Sequence, residues 1–153
     1  MTQQMFKTSA AAFGPWYPLN GTAKLVESCE ALSINLTAQI AITRRGNCSF
    51  VSKVRRVQNA GAIALVVVNN GDVTPTLMAC PFGEDCTDIQ IPSVLVPMEA
   101  MDAINDALEM GPNEELFNLI CGSRKYSKSS TIYNCNFLCL LIYQRFFNGI
   151  RMN

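Results

Sequence analysis

The run Ala62-Ile-Ala-Leu-Val-Val-Val68 is apolar throughout, without the alternation of a half-exposed strand, and it ends at Asn69-Asn70-Gly71. A strand of this kind must be covered on both faces, which is the environment of a parallel sheet sandwiched between helices. The preceding residues supply the rest of such a unit. Ala38-Gln-Ile-Ala-Ile-Thr43 is short, Ile-rich and bounded by Arg44-Arg45-Gly46-Asn47, which predicts a strand running into a loop. Phe50, Val54 and Val57 then fall at i, i+4 and i+7, with Ser49 as the N-cap and Gly61 placed for a left-handed C-cap. On this pattern Lys53, Arg56 and Asn59 belong to the polar face of the helix. Strand, helix and strand in so short a stretch predict a βαβ unit with two parallel strands.

Downstream, Ile89-Gln-Ile-Pro-Ser-Val-Leu-Val-Pro97 predicts a strand that either lies at a sheet edge or starts after Pro92, because proline cannot donate to a ladder. Pro97 opens a second helical pattern, with Met101, Ile104 and Leu108 on one face and Gly111-Pro112 as its stop. Glu115 to Cys121 reads as a last strand. Gly21 to Glu27 reads as short β segments among turns. A chain of 153 residues with 49% apolar residues can bury one ordinary core, so one α/β domain with tails is expected.

Charge divides the chain. Up to Cys121 there are seven Lys and Arg against all twelve acids, a balance of −5. From Gly122 onward there are five basic residues and no acid, a balance of +5. A boundary at about residue 122 follows, giving an N-terminal segment 1–12, a domain 13–121 and a basic, partly apolar tail 122–153. A net charge of zero gives no general attraction to nucleic acid. Lys53, Arg55 and Arg56, the only basic cluster of the body, read as an exposed helix face. The tail run Phe137 to Tyr143 is too short to cross a bilayer. It reads as a truncated or altered end or as an amphipathic surface segment, with Ser127–Thr131 as a flexible connector.

The chain has no histidine, which removes Ser-His-Asp and Cys-His catalysis, histidine-bound zinc and imidazole switching. It has seven cysteines and three sequons, at Asn20, Asn35 and Asn47, which together point to an oxidising, secretory or endomembrane lumen and to a glycoprotein. Met1 to Ala12 lacks the apolar stretch of a leader, so an upstream leader outside this chain is the expectation. Cys80 and Cys86 flank Pro-Phe-Gly-Glu-Asp, and bridging that short ring would stabilise by about 2 kcal/mol. Cys29 and Cys48 are the next candidate pair, although four cysteines allow three connectivities. Cys121, Cys135 and Cys139 are unassigned, and the spacing of the last two does not fit a redox Cys-x-x-Cys motif.

The segments Arg45-Gly46-Asn47-Cys48-Ser49-Phe50, Lys53, Gln58, Ala60-Gly61-Ala62, Asn69-Asn70 and Asp88-Ile-Gln-Ile-Pro-Ser93 occur in an order that resembles the protease-associated (PA) domain family. The resemblance runs from about Phe13 to about Cys121 and includes Ala-Phe-Gly-Pro and the early Cys29. It implies an α/β domain, a β-sandwich or swivelling β/β/α arrangement with two flanking helices. Such domains are embedded in subtilisin-like and zinc peptidases, vacuolar sorting receptors, membrane ubiquitin ligases, signal-peptide-peptidase-like proteases and glycosidase-like proteins of the endoplasmic reticulum. In these hosts the domain is noncatalytic, uses no cofactor, and binds peptide or protein segments or restricts access to a neighbouring active site. Membrane attachment is then expected only through host regions outside this chain, and no motif fixes the oligomeric state.

The resemblance places partner binding on Arg45, Gly46, Asn47 and Cys48. The chemistry suits an acceptor-rich peptide: a guanidinium fork, a glycine that allows close approach, and free N–H groups at a helix start. The plainer reading is a tight turn at Gly46, a bridge at Cys48 and an Arg45 paired with an acid. A glycan on Asn47 would occupy the same loop. Glu84, Asp85 and Asp88 do not match an EF-hand spacing and read as solvated acids, so no metal is expected. Phe13, Trp16 and Tyr17 read as edge packing or as an aromatic shelf. The function implied is a noncatalytic lumenal recognition module, with a lid domain of a larger peptidase as the alternative.

Overall fold

The computed structural model describes residues 2–71, 77–109, 117–122 and 137–144. The readings at Gly111-Pro112, Ser127–Thr131 and Cys135 lie outside the described residues, as do the side chains of Cys121 and Cys139. The elements are β1 (Thr2–Ala10), β2 (Leu19–Gly21), β3 (Ala23–Leu25), β4 (Ile40–Arg44), α1 (Phe50–Asn59), β5 (Ala64–Val68), β6 (Ser93–Val96), α2 (Ala100–Glu109), β7 (Phe117–Gly122) and β8 (Phe137–Gln144). They form one mixed sheet in the order β2-β7-β8-β1-β6-β5-β4-β3, with two helices, an α/β architecture. Strands β3 to β6 run parallel to one another.

The two faces of the parallel strands are covered differently. Ile40, Ile42, Val66, Val68, Val94 and Val96 pack with Ala100, Met101 and Ile104 of α2. Ala41, Leu65, Val67 and Leu95 pack with Val51, Val54 and Val57 of α1. Every residue of β5 and β6 is therefore buried, and the absence of alternation in their sequences follows from having a helix on each side.

Helix α1 ends as its sequence dictates. Ser49 is extended, with φ −65° and ψ 156°, and its Oγ accepts from the Ser52 N–H at 3.1 Å. At the other end the Gly61 N–H donates to Gln58 O at 2.9 Å and the Ala62 N–H to Val57 O at 3.0 Å, the paired bonds of a Schellman motif. Gly61 has φ +92°, and a Cβ there would sit 3.0 Å from Thr37 Oγ1, so both conformation and space call for glycine.

Strand β6 begins directly after Pro92, and it lies inside the sheet between β5 and β1 rather than at an edge. Pro92 still serves the sheet, because its carbonyl accepts from Leu65 N at 3.0 Å. Pro97 stands in the turn before α2, accepting from Ala100 N at 3.1 Å, so the helix starts three residues later than the proline suggested. Strand β1, from the segment 1–12, pairs with β6 through Ser9 and Ala10 and with β8 through Thr2 to Thr8. Strand β8, from the tail, also pairs with β7, so both flanking segments contribute to the same sheet. Among the described residues, no helix is long and apolar enough to cross a membrane.

Candidate functional site

Three parallel strands bring their carboxyl ends to one edge, where the backbone of each continues onto its neighbour. Arg45 N donates to Val68 O at 2.8 Å, and Asn69 N donates to Val96 O at 2.9 Å. The loop Arg45–Ser49 starts from this edge and enters α1. Gly46 has φ +113° and Asn47 has φ +65°, a left-handed pair that turns the chain sharply. Asparagine tolerates this conformation better than most residues because its short side chain can compensate locally. The Cys48 N–H closes the turn on Gly46 O at 2.8 Å.

Arg45 is half-buried and held from two directions. Its Nη1 donates to Asn69 Oδ1 at 3.0 Å, and its guanidinium carbon lies 5.4 Å from the centroid of the Phe50 ring. The partner is thus a neutral amide and an aromatic face, not the acid that the plainer reading expected. Among the described residues no carboxylate pairs with Arg45, which keeps donors of its five-donor fork for another group. A Cβ at Gly46 would meet only Asn70 Nδ2, at 3.8 Å, so the backbone here is approachable. Asn47 is exposed and Cys48 half-buried.

Cys48 is bonded to Cys29, and Cys80 to Cys86. The first bond is positioned by a buried contact in which Ser28 Oγ donates to Thr43 Oγ1 at 3.0 Å, laying residues 26–29 along β4. Asn20 lies on β2 and is exposed. Asn35 is also exposed, and its Oδ1 accepts from the Thr37 N–H at 2.8 Å in an Asx turn.

The basic cluster does not form one exposed face. Lys53 is buried, with 2% exposure, and its Nζ lies 3.1 Å from Cys29 Sγ. Its position, three after Phe50 and four before Val57, is on the apolar stripe of α1, and that periodicity is the signal that could have found it. Burial pushes the Lys53 pKa down, opposed by Glu27 and assisted by Arg56. Arg56 Nη1 reaches Ser28 O at 3.4 Å and Cys48 Sγ at 3.8 Å.

Arg55 straps α1 to the Cys80–Cys86 loop and to Asp88 just beyond it. It donates to both carboxylate oxygens of Asp88, at 2.7 Å and 2.9 Å, and also engages Glu84 and the Asp85 carbonyl. Glu84 and Asp88 are therefore ion-pair partners rather than acids facing only solvent, and no cluster able to hold a metal occurs among the described residues. Gln58 adds a second clasp, giving Nε2–H to Asp88 O at 3.0 Å and accepting from Gln90 N at 2.7 Å. Phe13 is buried and Trp16 packs on the core, while Tyr17 is exposed, which favours edge packing over an aromatic shelf.

The strap has a pH signature. The Arg55 hydrogen bond holds the Asp88 carboxyl below its ordinary range, and the Thr87 N–H does the same for Asp85. A carboxyl whose pKa is lower in the folded chain contributes stability above the unfolded value of about 4, and loses it as pH falls through the folded value. Thermal melts followed from about pH 6 to about pH 2 should therefore fall less steeply for Arg55→Met than for the parent chain, and equal slopes would show that the strap is not formed in solution.

Comparison with known proteins agrees with this fold. The PA domain family matches residues 19–104, and the chain belongs to that family. It is 33% identical over 91 residues to signal peptide peptidase-like 3 of Arabidopsis thaliana, covering 60% of this chain and 17% of that protein. It is 39% identical over 74 residues to signal peptide peptidase-like 2 of the same plant, covering 48% and 14%. It is 33% identical over 96 residues to human ER degradation-enhancing alpha-mannosidase-like protein 3, covering 60% and 10%. The chain thus spans less than a fifth of each of these relatives. Among solved structures, an aminopeptidase from Aneurinibacillus sp. strain AM-1 superposes with TM-score 0.54 at 18% identity, over 92% of this chain and 30% of that one. BSAP, a zinc aminopeptidase from Bacillus subtilis, gives 0.53 at 14% identity, over 82% and 36%. At these identities the likeness is one of fold.

Proposed function

We propose that the chain is a recognition module of the secretory or endomembrane lumen that binds peptide or protein segments at Arg45–Cys48 and cleaves no peptide bond itself. The observation that carries this reading is the Arg45 guanidinium, fixed by Asn69 and Phe50 yet without a carboxylate of its own among the described residues. A group held in this way loses little side-chain freedom on capture, and its fork matches a peptide carboxylate. Two disulfides, three sequons and relatives that include an ER degradation-enhancing protein support the lumenal setting.

The test is binding to an immobilised library of peptides ending in a free carboxylate. Arg45→Ala is expected to weaken capture at least about tenfold, and Arg45→Lys by less, because the ammonium keeps the charge but not the fork. Equal binding by all three proteins would refute the assignment of the loop. Full glycan occupancy at Asn47, read by peptide mass spectrometry of secreted protein, would count against it as well, whereas sugar at Asn20 or Asn35 leaves the loop open.

A second reading is a lid beside the active site of a larger peptidase. Its support is the signal peptide peptidase-like proteins among the relatives, of which this chain matches only a small part.

A further inference from the structure

The Cys29–Cys48 bond is surrounded by positive charge. Lys53 Nζ stands 3.1 Å from Cys29 Sγ, and Arg56 Nη1 stands 3.8 Å from Cys48 Sγ. Cys48 also directly precedes Ser49, the N-cap of α1, and so stands next to the positive end of the helix dipole. A disulfide is neutral and a weak acceptor. The Lys53 ammonium has therefore given up water without gaining, among the described residues, an anion in contact, and the acid that supports it is Glu27, which is exposed. Among the described residues, the charged groups that contact this pair or act on the Lys53 ammonium are Lys53, Arg56 and Glu27. Among the described residues no Lys or Arg nitrogen is bonded to either sulfur of Cys80–Cys86, although Arg55 touches the same loop.

We propose that Cys29–Cys48 is a thiol–disulfide exchange site, taking an external dithiol as its reductant and held in its reduced state by Lys53 and Arg56. The thiolate of the dithiol attacks Cys48 Sγ beside the exposed Asn47. A bond forms between those two sulfurs, the Cys48–Cys29 bond breaks, and its electron pair leaves on Cys29 as a thiolate against Lys53. The second thiol of the reductant then attacks its own first sulfur and releases Cys48, to which its proton passes. The dithiol ends as a disulfide and the protein pair has gained two electrons. An adjacent cation lowers the pKa of a leaving thiol, which speeds its departure and stabilises the product. The site shares Cys48 with the proposed binding loop, but the exchange does not require a peptide bound at Arg45.

The test uses the full chain equilibrated at about pH 8 in graded mixtures of reduced and oxidised dithiothreitol, with each cysteine read by alkylation and peptide mass spectrometry. Lys53→Met is expected to lower the reduction equilibrium constant of Cys29–Cys48 about tenfold, Lys53→Arg to restore most of it, and Cys80–Cys86 to stay constant. In the reduced parent chain, alkylation of Cys29 should have its midpoint at least about one pH unit below the ordinary value of about 8.5. That second measurement decides the matter if Lys53→Met does not fold, as does Arg56→Gln, which should shift Cys48 in the same direction. A midpoint near 8.5, from a folded or a reduction-unfolded chain, or a Lys53→Met constant within about twofold of the parent, would overturn the proposal.

Discussion

Leu65→Ala is expected to lower the unfolding free energy by about 3 kcal/mol, measured by urea denaturation under non-reducing conditions. Leu65 is fully buried in β5, between Ala41 and Ser93 of the flanking strands and in the same apolar cluster as Val51, Val54 and Val57 of α1. Truncation loses the transfer free energy of the deleted atoms and leaves a cavity, because a sheet residue fixed on both sides by ladders cannot move to close it. Leu77→Ala is the control: Leu77 is 65% exposed, so its loss should change stability by no more than about 0.5 kcal/mol. If Leu65→Ala cost less than about 1 kcal/mol, α1 would not pack on this face as described.

The second large effect concerns the cross-links. The Cys29–Cys48 bond closes a loop with sequence separation 19, and Cys80–Cys86 one with separation 6. On the chain-entropy account, removing the first by Cys29→Ala with Cys48→Ala should cost about 3 kcal/mol, and removing the second about 2 kcal/mol. The first deletion also leaves the Lys53 ammonium facing alanine in a buried position. Adding Lys53→Met to that background should therefore recover part of the loss, since a methionine fills similar space without a charge to desolvate. A triple variant no more stable than the double would mean that Lys53 reaches water by another route.

Much of the fold was legible because local chemistry and tertiary context agree. Ser49, Gly61 and the stripe of Val54 and Val57 specify the ends and the buried side of α1, and the unbroken run before Asn69 specifies a strand with a helix on each face. Pro92 was harder to place. A proline cannot donate to a ladder, but its carbonyl can still accept, so β6 follows it directly while remaining in the interior of the sheet. The contribution of β1 was not legible, since Thr2 to Thr8 is mostly polar, with only Met5 and Phe6 apolar, and its partners in β8 are far away in sequence.

The candidate loop was legible in its backbone and less so in its company. Gly46 and Asn47 signal a turn from sequence alone. The residue that holds Arg45 is Asn69, which precedes a turn signal one strand away and becomes its neighbour only because β4 and β5 are parallel and in register. Charge misled at Lys53, where polarity assigned to the surface a residue whose helical phase puts it inside. Counting Arg55 with the same cluster hid its separate task, the bond to Asp88, which has no trace in local sequence.

Helix α1 is tied at its start by the cystine at Cys48, along its side by Arg55, and near its end by the amide of Gln58. Its ten residues cannot fray one turn at a time without breaking a tie that belongs to another segment. The peptide hydrogens of Val54 to Gln58 should accordingly exchange with deuterated solvent as a single slow group, released only when the segment 84–90 lifts away in the same event.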